Sequence, residues 1–445
     1  MIGKKWWAVA VSMLLLVGSR MACAQVSSPA ATSPARIVLH CPAAIDVAQG
    51  KMLGQTTVVI EGGKIKSVAP GIQNEPGATV IDLPGETCIP GLIDLHVHLS
   101  SSGGRRGMGG QDFADAVLRA AYSARKTLLA GFTTVENVGD SNYETVSLRN
   151  AINQGWMEGP RIFTAGPAIS TSGGHGDRSS RLPIDLQGDP GPAQNIINSP
   201  EDAYKAVRIH YKEHVDFIKF MSSGGVMDTG ASVNNPQFTL EEAKAIVAAA
   251  HDYGFLATTH SMGAEAIRRA VLAGVDSIQH GTFMDDEDIR LMKERGTWYC
   301  PTVYANHYVA EQAQKGNMQA ESIPKALIVG PQIMKIVSKA YKAGVKFAYG
   351  TDTGVFAPGE NWRDFPLLVE AGMPPIYAIQ MATINAAQAS KHEADLGSIA
   401  PGKAADIVAV KGDPLQDINL MGKIDFVMKA GVVYKQDGKE LVFEQ

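Results

Sequence analysis

Leu92-Ile93-Asp94-Leu95-His96-Val97-His98-Leu99 is an aliphatic run interrupted by one acid and two imidazoles. Side chains alternate along a strand, so His96 and His98 share one face while Val97 points away. Two imidazoles at successive same-face positions can bind one metal ion. An apolar strand that ends in such a pair is what the mouth of a parallel barrel looks like, because that fold collects its chemistry at the C-terminal strand ends.

The pattern continues outward from this run. Further short apolar runs are Thr133–Val138, Arg161–Ile169, Phe217–Met221, Phe255–Thr259, Ser277–His280, Trp298–Val303 and Phe347–Gly350, with helical segments between them. Ser199-Pro200-Glu201-Asp202 supplies a cap, a first-turn proline and acids at a helix start. Thr239 to Glu242 reads as a capping box, and Gly254 ends that helix. Eight strands alternating with helices predict an α/β protein built on a closed (β/α)8 TIM barrel.

The two ends of the chain differ from this centre. Thr57–Val68 reads as a hairpin turning at Gly62-Gly63, and Ala405–Val410 and Phe426–Tyr434 carry strands split by glycine. The ends are expected to pair as a small β-sandwich domain, residues 36–88 with 395–445, flanking a barrel domain of residues 89–394. The chain of 445 residues suits one large barrel plus a satellite, and 45% apolar residues can fill both cores. A formal charge of −5 without a basic tract argues against a nucleic-acid partner.

Residues 1–24 read as a cleavable signal peptide. Lys4 and Lys5 precede an apolar run from Trp6 to Val17, too short to span a bilayer comfortably, and Ala22-Cys23-Ala24 is a small-residue cleavage site. Cleavage after Ala24 implies a secreted or periplasmic protein without stable membrane insertion, with residues 25–35 as a flexible tether. Cys41, Cys88 and Cys300 then remain, odd in number and widely spaced. Three buried thiols are expected, although Cys41 and Cys88 could pair if their segments are neighbours.

The other strand ends carry more polar groups. Lys219 sits inside Phe217–Met221, where an ammonium is costly. A free ammonium cannot ligate a metal, but a lysine that has added carbon dioxide offers two anionic oxygens and can bridge two cations. His260 and His280 end the fifth and sixth strands, and Asp352 follows the eighth. His40, His210, His214, His251, His307 and His392 lack this placement and read as ordinary surface or helix residues.

The set His96, His98, Lys219, His260, His280 and Asp352 resembles the binuclear-metal branch of the amidohydrolase superfamily. Ile89-Pro-Gly-Leu-Ile-Asp-Leu-His-Val-His98 and Gly397-Ser-Ile-Ala-Pro-Gly-Lys-Ala-Ala-Asp-Ile-Val408 carry the resemblance from about residue 36 to the end. Gly173-Gly-His-Gly-Asp177 and Ile218-Lys-Phe-Met-Ser-Ser-Gly-Gly-Val-Met227 resemble the imidazolonepropionase-like subgroup that holds bacterial Xaa-Pro and Xaa-Arg/Lys dipeptidases and ochratoxin-hydrolysing enzymes.

The resemblance implies two divalent ions, zinc being expected. His96, His98 and Asp352 would hold one, His260 and His280 the other, with carboxylated Lys219 between them. Mononuclear deaminases of the superfamily lack that lysine, so Lys219 favours peptidase-like amide hydrolysis. Asp352 would move the proton from water to the leaving amine. His175, Arg178, Tyr304 and Tyr308, on loops after the third and seventh strands, are the candidates for holding the substrate's carboxylate, His175 first, because its glycine neighbours allow close approach. A lactonase or cyclic-amide hydrolase using the same metals is the alternative activity, and a non-catalytic ligand-binding protein is the alternative outside enzymes. A small-molecule or dipeptide substrate and a homo-oligomeric assembly complete the expectation.

Overall fold

The computed structural model describes residues 36–101, 112–228 and 232–441. The expected signal peptide, its cleavage site and the tether lie outside them. Eight parallel strands run round a ring. Arg161–Thr164, Phe132–Asn137 and Leu92–Val97 form one sheet, and Ile218–Met221, Ala257–Gly263, Ser277–Phe283, Trp298–Cys300 and Lys346–Phe347 form another. Parallel bridges from Ile169 to Phe220 and from Val97 to Thr353 join the two sheets at both seams. The TIM barrel expected from the alternating pattern is therefore closed.

Several strands end earlier than their apolar runs suggest. Gly166-Pro167 interrupts the third, because proline has no N–H to give the ladder. Pro301 and the left-handed Thr302 (φ 49°) stop the seventh at Cys300. The helix Val303–Gln314 starts there, its first N–H groups of Val303 and Tyr304 donating to Asp364 Oδ1. The eighth is regular only over Lys346–Phe347, after which its backbone leaves the ladder to reach the first strand, Leu95 N–H donating to Tyr349 O. The helices Pro200–Lys212 and Leu240–Asp252 begin at Ser199 and at the Thr239/Glu242 capping box, as expected.

The chain ends form two further sheets. One orders Lys64–Pro70, Thr56–Glu61, Arg36–Cys41 and Thr79–Asp82. The other orders Lys439–Glu440, Val432–Gln436, Ile424–Lys429, Ile407–Lys411, Glu86–Pro90, Ala43–Asp46 and Lys51–Leu53. Leu39, Val58, Ile60, Ile65, Ile407, Phe426 and Met428 pack between them as a separate apolar core. Glu86–Pro90 pairs antiparallel with Ile407–Lys411, so the two ends of the chain share one sheet. Among the described residues no helix is long and apolar enough to cross a membrane.

The expectation of three buried thiols fails. Cys41 and Cys88 are disulfide-bonded with Cα atoms 5.9 Å apart, and among the described residues Cys300 is the free, buried cysteine. The cause is tertiary. Cys41 ends a strand of one sheet, Cys88 lies mid-strand in the other, and both face the common core. Closing the loop between positions 41 and 88 removes about 4 kcal/mol of unfolded-chain entropy in the loop-closure account. Replacing both residues, Cys41→Ala with Cys88→Ala, should lower the unfolding free energy in non-reducing urea titrations by roughly 2–4 kcal/mol. An unchanged midpoint would show that the bridge does not restrain the unfolded chain.

Candidate metal centre

The strand ends bring His96, His98, His260, His280 and Asp352 together at one mouth of the barrel. Asp352 Oδ1 lies 3.4 Å from His96 Nε2 and 3.3 Å from His98 Nε2. Ring centroids are 5.4 Å apart for His96 and His98, 4.9 Å for His96 and His280, and 4.4 Å for His260 and His280. One ligand atom from each of His96, His280 and Asp352 lies within 4.8 Å of the others.

Each imidazole is tied through its outer nitrogen. His96 Nδ1–H donates to Gln279 Oε1 at 2.7 Å. The Gln279 amide is oriented by donating Nε2–H to Thr258 Oγ1 at 2.7 Å, so its oxygen faces His96. His280 Nδ1 pairs with the Thr302 hydroxyl at 2.8 Å. His260 uses the opposite nitrogen, Nε2–H donating to Gly224 O at 3.2 Å, which leaves Nδ1 available. His98 makes a longer bond through Nδ1 to Gly139 O at 3.4 Å. Such outer partners set the tautomer and ring plane of metal-binding histidines.

The electrostatics favour neutral rings. Burial, reinforced by the Lys219 amine, pushes His96 down to about 4. Burial also drives His260 and His280 well below the usual imidazole value, with neighbouring imidazoles and Lys219 adding to it. Burial alone would raise Asp352, but contacts with His96 and His98 hold it well below the ordinary carboxylate range. Unprotonated lone pairs converging with one carboxylate are a donor set that suits divalent cations, so these residues fit a metal centre.

Lys219 is 1% exposed on the fourth strand. Burial lowers its amine to about 7, against the opposing pull of Asp352, Cys300 and Glu136. Lys219 pairs in parallel register with Thr258, two residues before His260, so it shares that strand face, and its charge adds to the lowering of His96, His260 and His280.

Two residues at this mouth also carry backbone strain. His280 (φ 69°) and Asp352 (φ 63°) both occupy the left-handed region, at about 1–2 kcal/mol each for side chains of this kind. Tyr299 Oη–H donates to His280 O at 2.7 Å, and Asp352 N–H donates to His96 O at 2.7 Å. These bonds hold both residues in that conformation.

A family model described as "Amidohydrolase family" matches residues 87–434, which contain every one of these side chains. The chain belongs to the amidohydrolase family. It is 30% identical to the ochratoxinase of Aspergillus niger over 377 residues, 79% of this chain and 76% of that one. The crystal structure of a Xaa-Pro dipeptidase with bound methionine in the active site superposes with a TM-score of 0.87 at 43% identity, covering 90% of this chain and 100% of that one. A prolidase complexed with N-methylphosphonate-L-proline superposes with a TM-score of 0.82 at 29% identity, covering 90% and 100%.

Within this amidohydrolase the loop candidates fall differently. His175 reaches the centre, its ring 4.4 Å from that of His260. Asp228 accepts from His175 Nδ1 at 2.8 Å and fixes the ring. Gly225 makes room for it, since a Cβ there would lie 2.3 Å from His175 Cε1. Arg178 begins a short 3-10 turn, not an open loop, and donates to Asp140 O at 2.7 Å, beside the Gly139 that touches His98. Tyr304 and Tyr308 lie on the helix Val303–Gln314 rather than a loop, because Pro301 ends the strand so early. Their rings pack with Phe356, four residues beyond Asp352, at 4.7 and 6.1 Å. His40 also departs from expectation. It is a buried strand residue bonded to Asp82 and to Gln73 O, because its strand is covered by its neighbours.

Sequence reading assigned no role to Asp94, Glu136, Asp228 or Gln279. Asp94 accepts from His96 N, Thr351 N, Thr351 Oγ1 and Asn361 Nδ2, stitching the first strand to the eighth. Burial pushes Asp94 up to about 6 against those bonds. Glu136, on the second strand, is pushed up to about 8, by burial first and Asp216 next, while Lys219 pulls it down. The acid two positions before His96 was a visible signal, whereas Gln279 and Asp228 carry none without the fold.

Gln279→Leu should leave the barrel folded and free His96 to rotate. We expect metal affinity to fall about 10–100-fold in chelator competition, with the circular dichroism spectrum unchanged. Wild-type affinity in this variant would remove Gln279 from the support of the centre.

Proposed function

We propose that this amidohydrolase cleaves the amide bond of dipeptides or N-acyl amino acids and releases the C-terminal amino acid, using a binuclear centre. The observation that carries the reading is Lys219, a buried lysine on the strand face it shares with His260, within electrostatic reach of three imidazoles and Asp352. An amine lowered to about 7 is partly free base at neutral pH, the form that adds carbon dioxide. The carbamate would bridge an ion held by His96, His98 and Asp352 and a second held by His260 and His280. Zinc is the expected ion for this nitrogen-rich set. When bound, two such ions supply Lewis acidity and lower the pKa of water towards about 7.

The chain's own groups supply the rest. Asp352, kept ionised beside His96 and His98, takes the proton from the attacking water and returns it to the leaving nitrogen. His175, oriented by Asp228, offers its remaining nitrogen to the substrate's carboxylate. Arg178, Tyr304 and Tyr308 are the further candidates for that contact. Two relatives, a Xaa-Pro dipeptidase and a prolidase, favour a dipeptide, and the ochratoxinase widens the class to other amides.

We also infer that the protein is exported, with cleavage after Ala24 and residues 25–35 as a tether. The Cys41–Cys88 disulfide supports an oxidising compartment. The functional units are taken as residues 36–88 with 395–445 for the sandwich and 89–394 for the barrel. Exposed Leu118, Tyr122, Ile184 and Leu186 support a homo-oligomer.

The substrate reading is tested on metal-replete enzyme with dipeptides ending in Pro, Arg, Lys and Phe, alongside lactones. Release of free amino acids is expected, and turnover of lactones alone would sink the peptidase reading. Lys219→Ala should lose metal and activity together, with partial recovery on adding a short carboxylic acid plus zinc. Full activity in that variant would take the bridge out of the mechanism. N-terminal sequencing of the secreted protein should begin at Gln25.

A further inference from the structure

Three acidic side chains meet in the small domain, outside the barrel strands. Glu86 opens the strand Glu86–Pro90, Asp425 lies on Ile424–Lys429, and Asp437 sits in the turn between Val432–Gln436 and Lys439–Glu440. One carboxylate oxygen from each lies within 4.8 Å of the others.

The cluster is built. Glu86 is only 2% exposed, and its Oε2 is buried with no hydrogen-bond partner. A buried carboxylate oxygen left in this way is costly unless something cationic completes it. Asp425 is delivered by a β-bulge. Ala409 pairs with Phe426 and Val410 with Ile424, so Asp425 is the extra residue without a partner across the ladder. A bulge of this kind re-aims a side chain. Asp437 is exposed at φ 51°, a conformation that aspartate tolerates better than most residues. Its turn is drawn onto the site, Gly438 N–H donating to Asp425 O at 3.0 Å.

One cation already faces the group. Lys411 Nζ lies 2.7 Å from Asp425 Oδ2, but that side chain is 63% exposed and rests on the rim. Lys435 also acts on Asp425, although its amine is bonded to Leu129 O, so two ammonium groups against three carboxylates still leave an excess of negative charge, and exposed pairs such as Lys411–Asp425 hold weakly.

We propose that Glu86, Asp425 and Asp437 form a calcium site that clamps the C-terminal hairpin to the small domain. The donor set is all oxygen, which selects a hard cation over zinc or copper. Calcium accepts irregular ligand geometry and fills its remaining positions with water and backbone oxygens, whereas magnesium demands a near-ideal octahedron. The clamp reaches the barrel. Glu440 of the hairpin accepts from Arg125 at 2.8 Å, and Lys435 Nζ donates to Leu129 O at 3.3 Å, both on the helix Phe113–Leu129.

The competing account is a proton shared between Glu86 and Asp425, since burial and Asp425 push Glu86 up to about 7. Calcium titration of the full-length protein separates the two. Loading the histidine centre with zinc beforehand keeps it out of the measurement. Calorimetry should show one added ion with a Kd of about 10⁻⁴–10⁻³ M, the range of extracellular calcium modules. At about 10 mM calcium, well above that range, Tm should rise by about 2–3 °C, with a smaller rise in magnesium.

Glu86→Gln should abolish both signals, and Asp437→Asn should weaken binding about tenfold or more. Asp437→Asn is exposed and keeps the turn conformation, so its folding is not in question even if Glu86→Gln fails to fold. Absence of calcium binding up to about 10 mM, unchanged affinity in Asp437→Asn, or an equal response to magnesium would each overturn the assignment.

Discussion

Four imidazoles and an amine share the mouth of this barrel with one carboxylate between them, and the protein is organised around aiming those groups and keeping His96, His260 and His280 neutral. If protonated together they would repel at close range in a site with little water. Burial answers that problem at His96, His260 and His280 by stripping their protons, which leaves lone pairs facing inward. What then remains is a geometric task. Every ring must be held from behind, and Gln279, Thr302, Gly224 and Gly139 do this from four different segments of the chain.

Closing the barrel and assembling the centre are one event. Asp94 shows why. Its carboxylate gathers donors from Thr351 and Asn361 on the far side of the seam while its neighbour His96 enters the mouth. The eighth strand abandons regular pairing after Phe347 to make that junction, and Asp352 is carried to His96 in a strained conformation. A seam held by a buried acid and a strained aspartate is less economical than a plain ladder, but it sets a carboxylate against two imidazoles. Local irregularity of this kind is common where a fold serves chemistry.

Much of this was legible in the residues. The period-2 placement of His96 and His98, the lone lysine inside Phe217–Met221 and the histidines after Thr259 and Gln279 needed only strand geometry and the expense of burying polar groups. The helix starts at Ser199 and Thr239 were likewise written locally. What could not be read depended on contacts between distant segments. The Cys41–Cys88 bridge joins two sheets whose facing is a tertiary fact. Gln279 looks like any buried amide until His96 is beside it, and Asp228 looks like a loop acid until His175 turns toward it. Tyr304 and Tyr308 were misplaced because one proline shortened a strand and let a helix begin early.

The sheet shared by the two ends of the chain imposes an order on biosynthesis. Thr87 and Gly412 are bonded across 325 residues. At about 5–20 residues per second, the earlier strand waits on the order of 20–60 s for its neighbour to leave the ribosome. During that interval Glu86–Pro90 is an open edge, available to any other extended segment. The strand Ile407–Lys411 therefore acts as a late-arriving guard against aggregation, and a chain truncated before Ile407 would present the same edge permanently.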